Sequence, residues 1–214
     1  MLDMKRNKLS VGLIDLSINN IYSVFQSCKK AGFKTEVIDF NKKKLHYDII
    51  ILPGVGAFKT GVNFLKKNYV KDKLNNYLEK PNSMLYGICL GMQLLFDQSF
   101  EFEKTMGLNL INGKVIKFSK HESKKTHLGW NKFKIQDQEF KNDFKKFENK
   151  YFYFVHSYHA VPKNKSNIFG YTKYGNLNFC SITKKRNIFG TQFHPEKSGY
   201  WGIEFLKNLK NLKS

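Results

Sequence analysis

The segment from Ser83 to Phe96 limits what this chain can fold into more than any other. An apolar run, Ser83-Met84-Leu85-Tyr86, meets Gly87-Ile88-Cys89-Leu90-Gly91-Met92-Gln93 and continues into Leu94-Leu95-Phe96. The pattern predicts a strand, a sharp turn and a helix, with glycines on both sides of Cys89 to let the backbone turn without Cβ clashes. A side chain at the tip of such a bend faces a cleft, the arrangement in which hydrolases hold a nucleophile, here with sulfur in place of oxygen. The start of the predicted helix brings the positive end of its dipole to the thiol and favours thiolate. A buried structural cysteine at a strand end gives the same local pattern, so the rest of the chain has to decide.

Two further segments bear on that decision. Gly190-Thr191-Gln192-Phe193-His194-Pro195-Glu196-Lys197-Ser198 sets a histidine and a glutamate two apart on an extended stretch stiffened by Pro195. A bend at the proline lets Glu196 reach back to the His194 imidazole. A base oriented by a carboxylate supplies the second and third members of a Cys-His-Glu triad; without a nucleophile the same pair is a surface turn. In Asp48-Ile49-Ile50-Ile51-Leu52-Pro53-Gly54-Val55-Gly56-Ala57-Phe58, a buried apolar strand runs into a Pro-Gly-x-Gly loop. Glycines around Val55 permit its peptide N–H to turn into a cleft. With the N–H of Leu90 it would form the donor pair that a tetrahedral oxyanion needs, each donor worth about 2.7–4 kcal/mol of barrier.

The organisation follows α/β logic. Strands over 9–14, 35–40, 49–52 and 84–88 alternate with helices over 20–31 and 62–79, the first helix carrying Ile21, Val24, Phe25 and Cys28 at helical spacing. Such alternation predicts a central, mostly parallel sheet with flanking helices, right-handed crossovers and a site at the strand carboxyl ends. Beyond Gly107 strand signals dominate, over 114–118, 132–135, 151–155, 160–161, 168–174, 179–183 and 188–192. A last helix is expected over 200–212, with Ile203, Leu206 and Leu209 as its buried stripe. The 214 residues suit one domain over 1–214.

Composition excludes several classes. No apolar run approaches the roughly 20 residues that span a bilayer, and the N-terminus lacks a signal-peptide apolar stretch, so a cytoplasmic enzyme is expected. Cys28, Cys89 and Cys180 are too few and too scattered for a disulfide framework or zinc site; no metal or other cofactor is expected. Cys28 and Cys180 are read as core residues, His127 and His159 as structural ones. The net charge of +20 invites a nucleic-acid reading. Its lysines are spread along the chain, however, arginine occurs only at positions 6 and 186, and no nucleic-acid-binding motif accompanies them. A solvated basic surface is expected, adsorbing polyanions weakly and steering an acidic partner.

Five blocks carry a closer resemblance: Pro53-Gly54-Val55-Gly56-Ala57-Phe58, Gly87 to Phe96, Leu128-Gly129-Trp130-Asn131, Tyr153-Phe154-Val155-His156-Ser157-Tyr158 and Gln192 to Ser198. In this order they resemble the class I (triad) glutamine amidotransferases, with a flavodoxin-like sheet, and within them the glutaminase subunits of imidazole glycerol phosphate synthase. The resemblance implies hydrolysis of L-glutamine to glutamate and ammonia by Cys89, His194 and Glu196. The oxyanion would rest on the N–H groups of Val55 and Leu90, and the substrate on Gly56, Gln93, Ser157 and Tyr158. It implies a synthase/cyclase partner, a (β/α)8 barrel in the histidine pathway, which receives the ammonia, makes imidazole glycerol phosphate and AICAR, and meets Asn20, Trp130, Tyr153 and Lys197. The loop Asp15-Leu16-Ser17-Ile18-Asn19-Asn20 departs from the family by replacing both small positions. That divergence is what relatives feeding ammonia to sugar-modifying synthases of surface-polysaccharide assembly would show, and equally what rapid drift in a lysine-rich proteome would produce. An inactive scaffold with this fold is the remaining alternative, and retention of all three triad residues speaks against it.

Overall fold

The computed structural model describes residues 8–17, 21–40, 45–119, 125–137, 139 and 141–212. Its first half runs β1 (Ser10–Leu13), α1 (Ile21–Lys30), β2 (Lys34–Val37), β3 (Ile49–Leu52), α2 (Phe58–Lys67), α3 (Val70–Leu78), β4 (Met84–Ile88) and α4 (Leu90–Leu94). The second half follows with β5 (Phe96–Ser99), β6 (Thr105–Met106), β7 (Ile111–Lys117), β8 (His127–Asn131), β9 (Lys134–Ile135), α5 (Lys141–Phe144), β10 (Phe152–His156) and β11 (Tyr158–Pro162). It closes with β12 (Ile168–Tyr174), β13 (Leu177–Lys185), β14 (Ile188–Thr191) and α6 (Gly199–Asn208).

Strands β2-β1-β3-β4-β14 are parallel neighbours in that order, the flavodoxin-like arrangement in which strand order reverses between β1 and β3. The continuous apolar character of β3 follows from burial on both faces. Ile49 and Ile51 pack into the layer holding Val24, Cys28, Phe205 and Leu206 of α1 and α6. Ile50 and Leu52 pack into the opposite layer with Phe58, Val62, Leu65, Leu74 and Tyr77 of α2 and α3. Beyond β14 the sheet continues through β13, β11, β7, β5 and β6, with β12 beside β13 and β9 beside β12. The β13–β14, β11–β13 and β7–β11 pairs are antiparallel. Strands β8 and β10 form a separate antiparallel ribbon, and β10 reaches back to the end of β14 through a single bridge between Tyr153 and His194. Among the described residues no helix is long and apolar enough to cross a membrane.

Local expectations are corrected in four places. The helix expected over 62–79 starts at Phe58 and breaks into α2 and α3 at Tyr69, which sits in the left-handed region at φ 53°, ψ 33°. The apolar run after Gln93 does not prolong a helix: α4 stops at Leu94, and Phe96 opens β5. The strand expected over 132–135 shrinks to Lys134–Ile135, while the preceding block, His127–Asn131, is itself extended as β8. Helix α6 ends at Asn208 before a 3-10 turn, and Phe205 with Leu206 and Leu209 fills the core where Ile203 stays half-buried.

Candidate functional site

Cys89 stands between β4 and α4 at φ 52°, ψ −107°, a conformation that costs a non-glycine residue about 1–3 kcal/mol. Two backbone bonds hold it there: its N–H donates to the Thr191 carbonyl at 2.7 Å, and its carbonyl accepts from Gln93 N–H at 3.1 Å. The flanking glycines remove Cβ clashes, as expected. Neither has a left-handed φ; they allow close approach. A Cβ on Gly91 would lie 1.7 Å from the Leu52 carbonyl oxygen, and one on Gly87 would lie 2.7 Å from the Gly91 backbone. The elbow is therefore short of space on both sides, and the strain falls on the cysteine.

After β14 the chain crosses β10, where His194 N–H donates to the Tyr153 carbonyl at 2.9 Å. The Ser198 hydroxyl donates to the His194 carbonyl at 2.6 Å and accepts from Tyr153 N–H at 3.0 Å. The turn at Pro195 brings Glu196 back: its Oε1 accepts from His194 Nδ1–H at 2.7 Å, with both side chains buried. Burial alone would lower the His194 pKa; the Cys89 sulfur and Glu196 together overcome it and push it up to about 10. The imidazole therefore carries a proton at neutral pH, ready to be given to a leaving group. Cys28 and Cys180 are buried with thiols pushed up to about 12, in both cases chiefly by burial, so they stay protonated and unreactive.

Cys89 opens into a small pocket lined by Gly56, Leu90, Gln93, Glu101, Val155, His156, Ser157 and Tyr158. The structure thus brings together all four residues expected to bind substrate. Two of their side chains point elsewhere, though: Gln93 Nε2 donates to the Tyr158 carbonyl and to Gln192 Oε1, and the Ser157 hydroxyl pairs with Thr126. Of the expected oxyanion donors, Leu90 N–H is engaged by the Gly54 carbonyl at 3.3 Å, in a loop whose Gly56 lies at φ 96°. Trp130, Tyr153 and Lys197 form one surface cluster. The two rings meet edge-on at 5.8 Å, and Lys197 Nζ lies 5.8 Å from the Tyr153 ring centre. Asn20 lies outside the described residues.

Sequence reasoning missed Glu101, Gln192 and His156. Glu101 reaches the pocket from beyond β5, a strand with no apolar signal, and its Oε2 accepts Phe58 N–H at the start of α2. Gln192 and His156 both lay inside quoted blocks, and only the fold shows that Gln192 Nε2 faces the Cys89 sulfur at 3.6 Å.

The buried histidines set the pH dependence of stability. Burial lowers His127 and His159 to about 4, and burial together with His127 holds His156 well below its usual value. Unfolding lets all three take up protons, so stability should fall as pH drops from 6.5 towards 4. His194 has the opposite sign: its raised pKa stabilises the fold below 6.5, and that contribution is lost as pH rises through about 10. Urea midpoints should therefore be higher at pH 7 than at pH 4.5 or pH 10.5.

Residues 12–209 match the family model for glutamine amidotransferase class-I. The chain belongs to the class I glutamine amidotransferases. Among relatives of this amidotransferase, imidazole glycerol phosphate synthase subunit HisH of Caldanaerobacter subterraneus subsp. tengcongensis is 39% identical over 203 residues, spanning 94% of this chain and 98% of its own. The HisH subunit of Wolinella succinogenes is 38% identical over 205 residues, with 93% and 98% covered. The amidotransferase fold is shared with the solved structure of PurLQS from Thermotoga maritima, at TM-score 0.73 and 17% identity over 96% of this chain and 97% of that one.

Proposed function

We propose that this amidotransferase is the glutaminase subunit of imidazole glycerol phosphate synthase. It would form one domain over 1–214 that hydrolyses L-glutamine and passes ammonia to a synthase subunit of (β/α)8 form. The observation that carries the reading is a pocket-lining Cys89 that interacts with the buried His194–Glu196 pair, in a chain similar over its length to subunits of that name. The Cys89 thiolate attacks the side-chain carbonyl carbon of glutamine. As the tetrahedral intermediate collapses, protonated His194 gives its proton to the departing nitrogen, which leaves as ammonia, and a γ-glutamyl thioester remains on Cys89. Water then adds to the thioester, with His194 taking its proton, and glutamate leaves as the thiol group is restored. Glu196 holds the imidazole by Nδ1 and offsets the charge it carries.

Glu101 gives the pocket a carboxylate, suited to the α-ammonium of glutamine. Glu101→Gln should raise KM for glutamine about tenfold while kcat changes less than threefold, since a charge-assisted bond of this kind is worth about 1.5–3 kcal/mol and is made equally in ground and transition states.

The Gly54 carbonyl on Leu90 N–H supports control at the oxyanion site. The loop has to turn before Val55 and Leu90 can donate together, and the cluster of Trp130, Tyr153 and Lys197, beside exposed Leu128, is where the synthase subunit would act on it, Asn20 being proposed as a further contact. Because the donors matter only in the transition state, adding the synthase subunit with its nucleotide ligand should raise kcat for glutamate release at least tenfold while KM stays within threefold. A partner effect confined to KM, or none, would count against this control.

A further inference from the structure

A chain of hydrogen bonds runs from the partner-facing ribbon to the Cys89 sulfur, and each bond in it has one permitted direction. Asn131 Oδ1 accepts from Lys132 N–H at 2.8 Å and Asn131 Nδ2 donates to the Lys173 carbonyl at 3.0 Å, which fixes the amide. Its Nδ2 therefore faces His127 Nε2, at 3.3 Å, as a donor. His127 must then carry its proton on Nδ1 and donate it to His156 Nε2 at 3.2 Å. His156 in turn donates from Nδ1 to the Tyr158 carbonyl at 2.8 Å. Because that carbonyl can only accept, the far end of the chain demands the same tautomer. A further proton on either ring would set two donors against each other, in keeping with the lowered pKa of both histidines.

The Tyr158 carbonyl is shared. It also accepts from Gln93 Nε2 at 2.9 Å, and the same nitrogen donates to Gln192 Oε1 at 3.1 Å. With its oxygen taken as acceptor, Gln192 can present only Nε2–H to the Cys89 sulfur, at 3.6 Å. Gln93, Gln192, His127 and His156 are all buried, where an N–H donor is not replaced by water and linked bonds polarise one another.

We propose that Gln192 is a further catalytic residue whose side-chain N–H holds and stabilises the Cys89 thiolate, and that His127 and His156 are positioning residues that lock its amide through the Tyr158 carbonyl and Gln93. The proposal deepens the glutaminase reading and rests on it. In this arrangement the thiolate receives a fixed amide donor as well as the imidazolium. The carbonyl that orients Gln93, and through it the donor, is held in place from β8 by way of His127 and His156, and β8 carries exposed Leu128 and Trp130.

The test reads thiolate reactivity directly and needs neither turnover nor a partner: the second-order rate of alkylation of Cys89 by iodoacetamide at pH 7, followed by peptide mass. Cys28 and Cys180, buried and protonated, serve as unreactive internal standards. Gln192→Leu should slow alkylation of Cys89 about tenfold, the usual effect of removing a hydrogen bond to a charged group. His127→Phe keeps the ring stacked between Phe154 and Tyr174 but removes the donor, and should slow it at least threefold. His127→Asn, which returns an N–H near the Nδ1 position, should restore the wild-type rate to within twofold. Independently of any variant's folding, nitrogen-15 spectra of the wild-type protein should show His127 and His156 both as Nδ1–H tautomers. An Nε2–H tautomer at either ring, or wild-type alkylation in Gln192→Leu, overturns the proposal. If only the proposal fails, wild-type glutamate release is untouched; if the glutaminase reading fails, glutamate release is absent whatever the alkylation rates.

Discussion

Cys89→Ala is expected to abolish glutamate release, lowering kcat by about ten-thousandfold or more while leaving the fold intact. A covalent nucleophile carries the whole two-step path, and the remaining parts of such a site, an oxyanion loop and a bound substrate, recover only a small residue of the acceleration. The side chain is small and borders the pocket, so truncation leaves no large cavity in the core. Cys89→Gly sharpens the argument. It should be equally inactive yet more stable than Cys89→Ala by about 1–3 kcal/mol, because glycine adopts φ 52° freely and alanine does not. A urea titration of the two variants checks this. Equal stabilities would mean that the elbow is not strained; a Cys89→Ala protein with near-native activity would remove the cysteine from the chemistry.

Gly91→Ala is expected to have the largest effect on folding of any single methyl group in the site. The added carbon would sit 1.7 Å from the Leu52 carbonyl oxygen, an atom of the central strand β3 that cannot move aside without breaking its pairing. A loss of about 4 kcal/mol or more is expected, which places the variant in the small class of severely destabilising substitutions and leaves it largely insoluble. Gly56→Ala is the contrast. At φ 96° with nothing within 4 Å of the added carbon, it should cost about 1–3 kcal/mol of backbone strain and no steric exclusion. Thermal melts of the two variants separate steric exclusion from conformational preference. A soluble Gly91→Ala protein with the wild-type melting temperature would mean that α4 does not lie on β3 as described.

The residues legible in the sequence were those whose pattern is local. The β3 run is apolar because both faces are covered, and a continuous run is itself the signal of that state. Cys89, His194 and Glu196 stood out because glycines and a proline punctuate their segments, and the fold sets the His194–Glu196 pair against Cys89. Tyr69 was not legible as a helix break, since nothing in Asn68-Tyr69-Val70 marks a left-handed residue. Strand β5 was hidden because Asp97 and Gln98 interrupt its apolar character, and Glu101 was hidden with it. The glycines of the elbow were legible as sites with no room for a Cβ, but the atom that excludes one at Gly91 was not: it is the carbonyl of Leu52, 39 positions earlier in the chain, and no local pattern carries that. The tautomer chain was out of reach for the same cause. His127 and His159 looked structural as isolated letters, and His127 gains a direction only when Asn131, His156 and the Tyr158 carbonyl surround it.

The most direct measurement is the mass of the peptide containing Cys89 from protein quenched during turnover of glutamine with the synthase subunit and its ligand present. Rapid acid quenching of the wild-type protein, with His194 present to protonate the departing nitrogen, catches the thioester before water clears it. One γ-glutamyl group on Cys89, absent when Cys89 is alanine, is the predicted result. Glutamate formed in the same mixture by the wild-type protein with no adduct on Cys89, or with the adduct on another residue, would contradict the account.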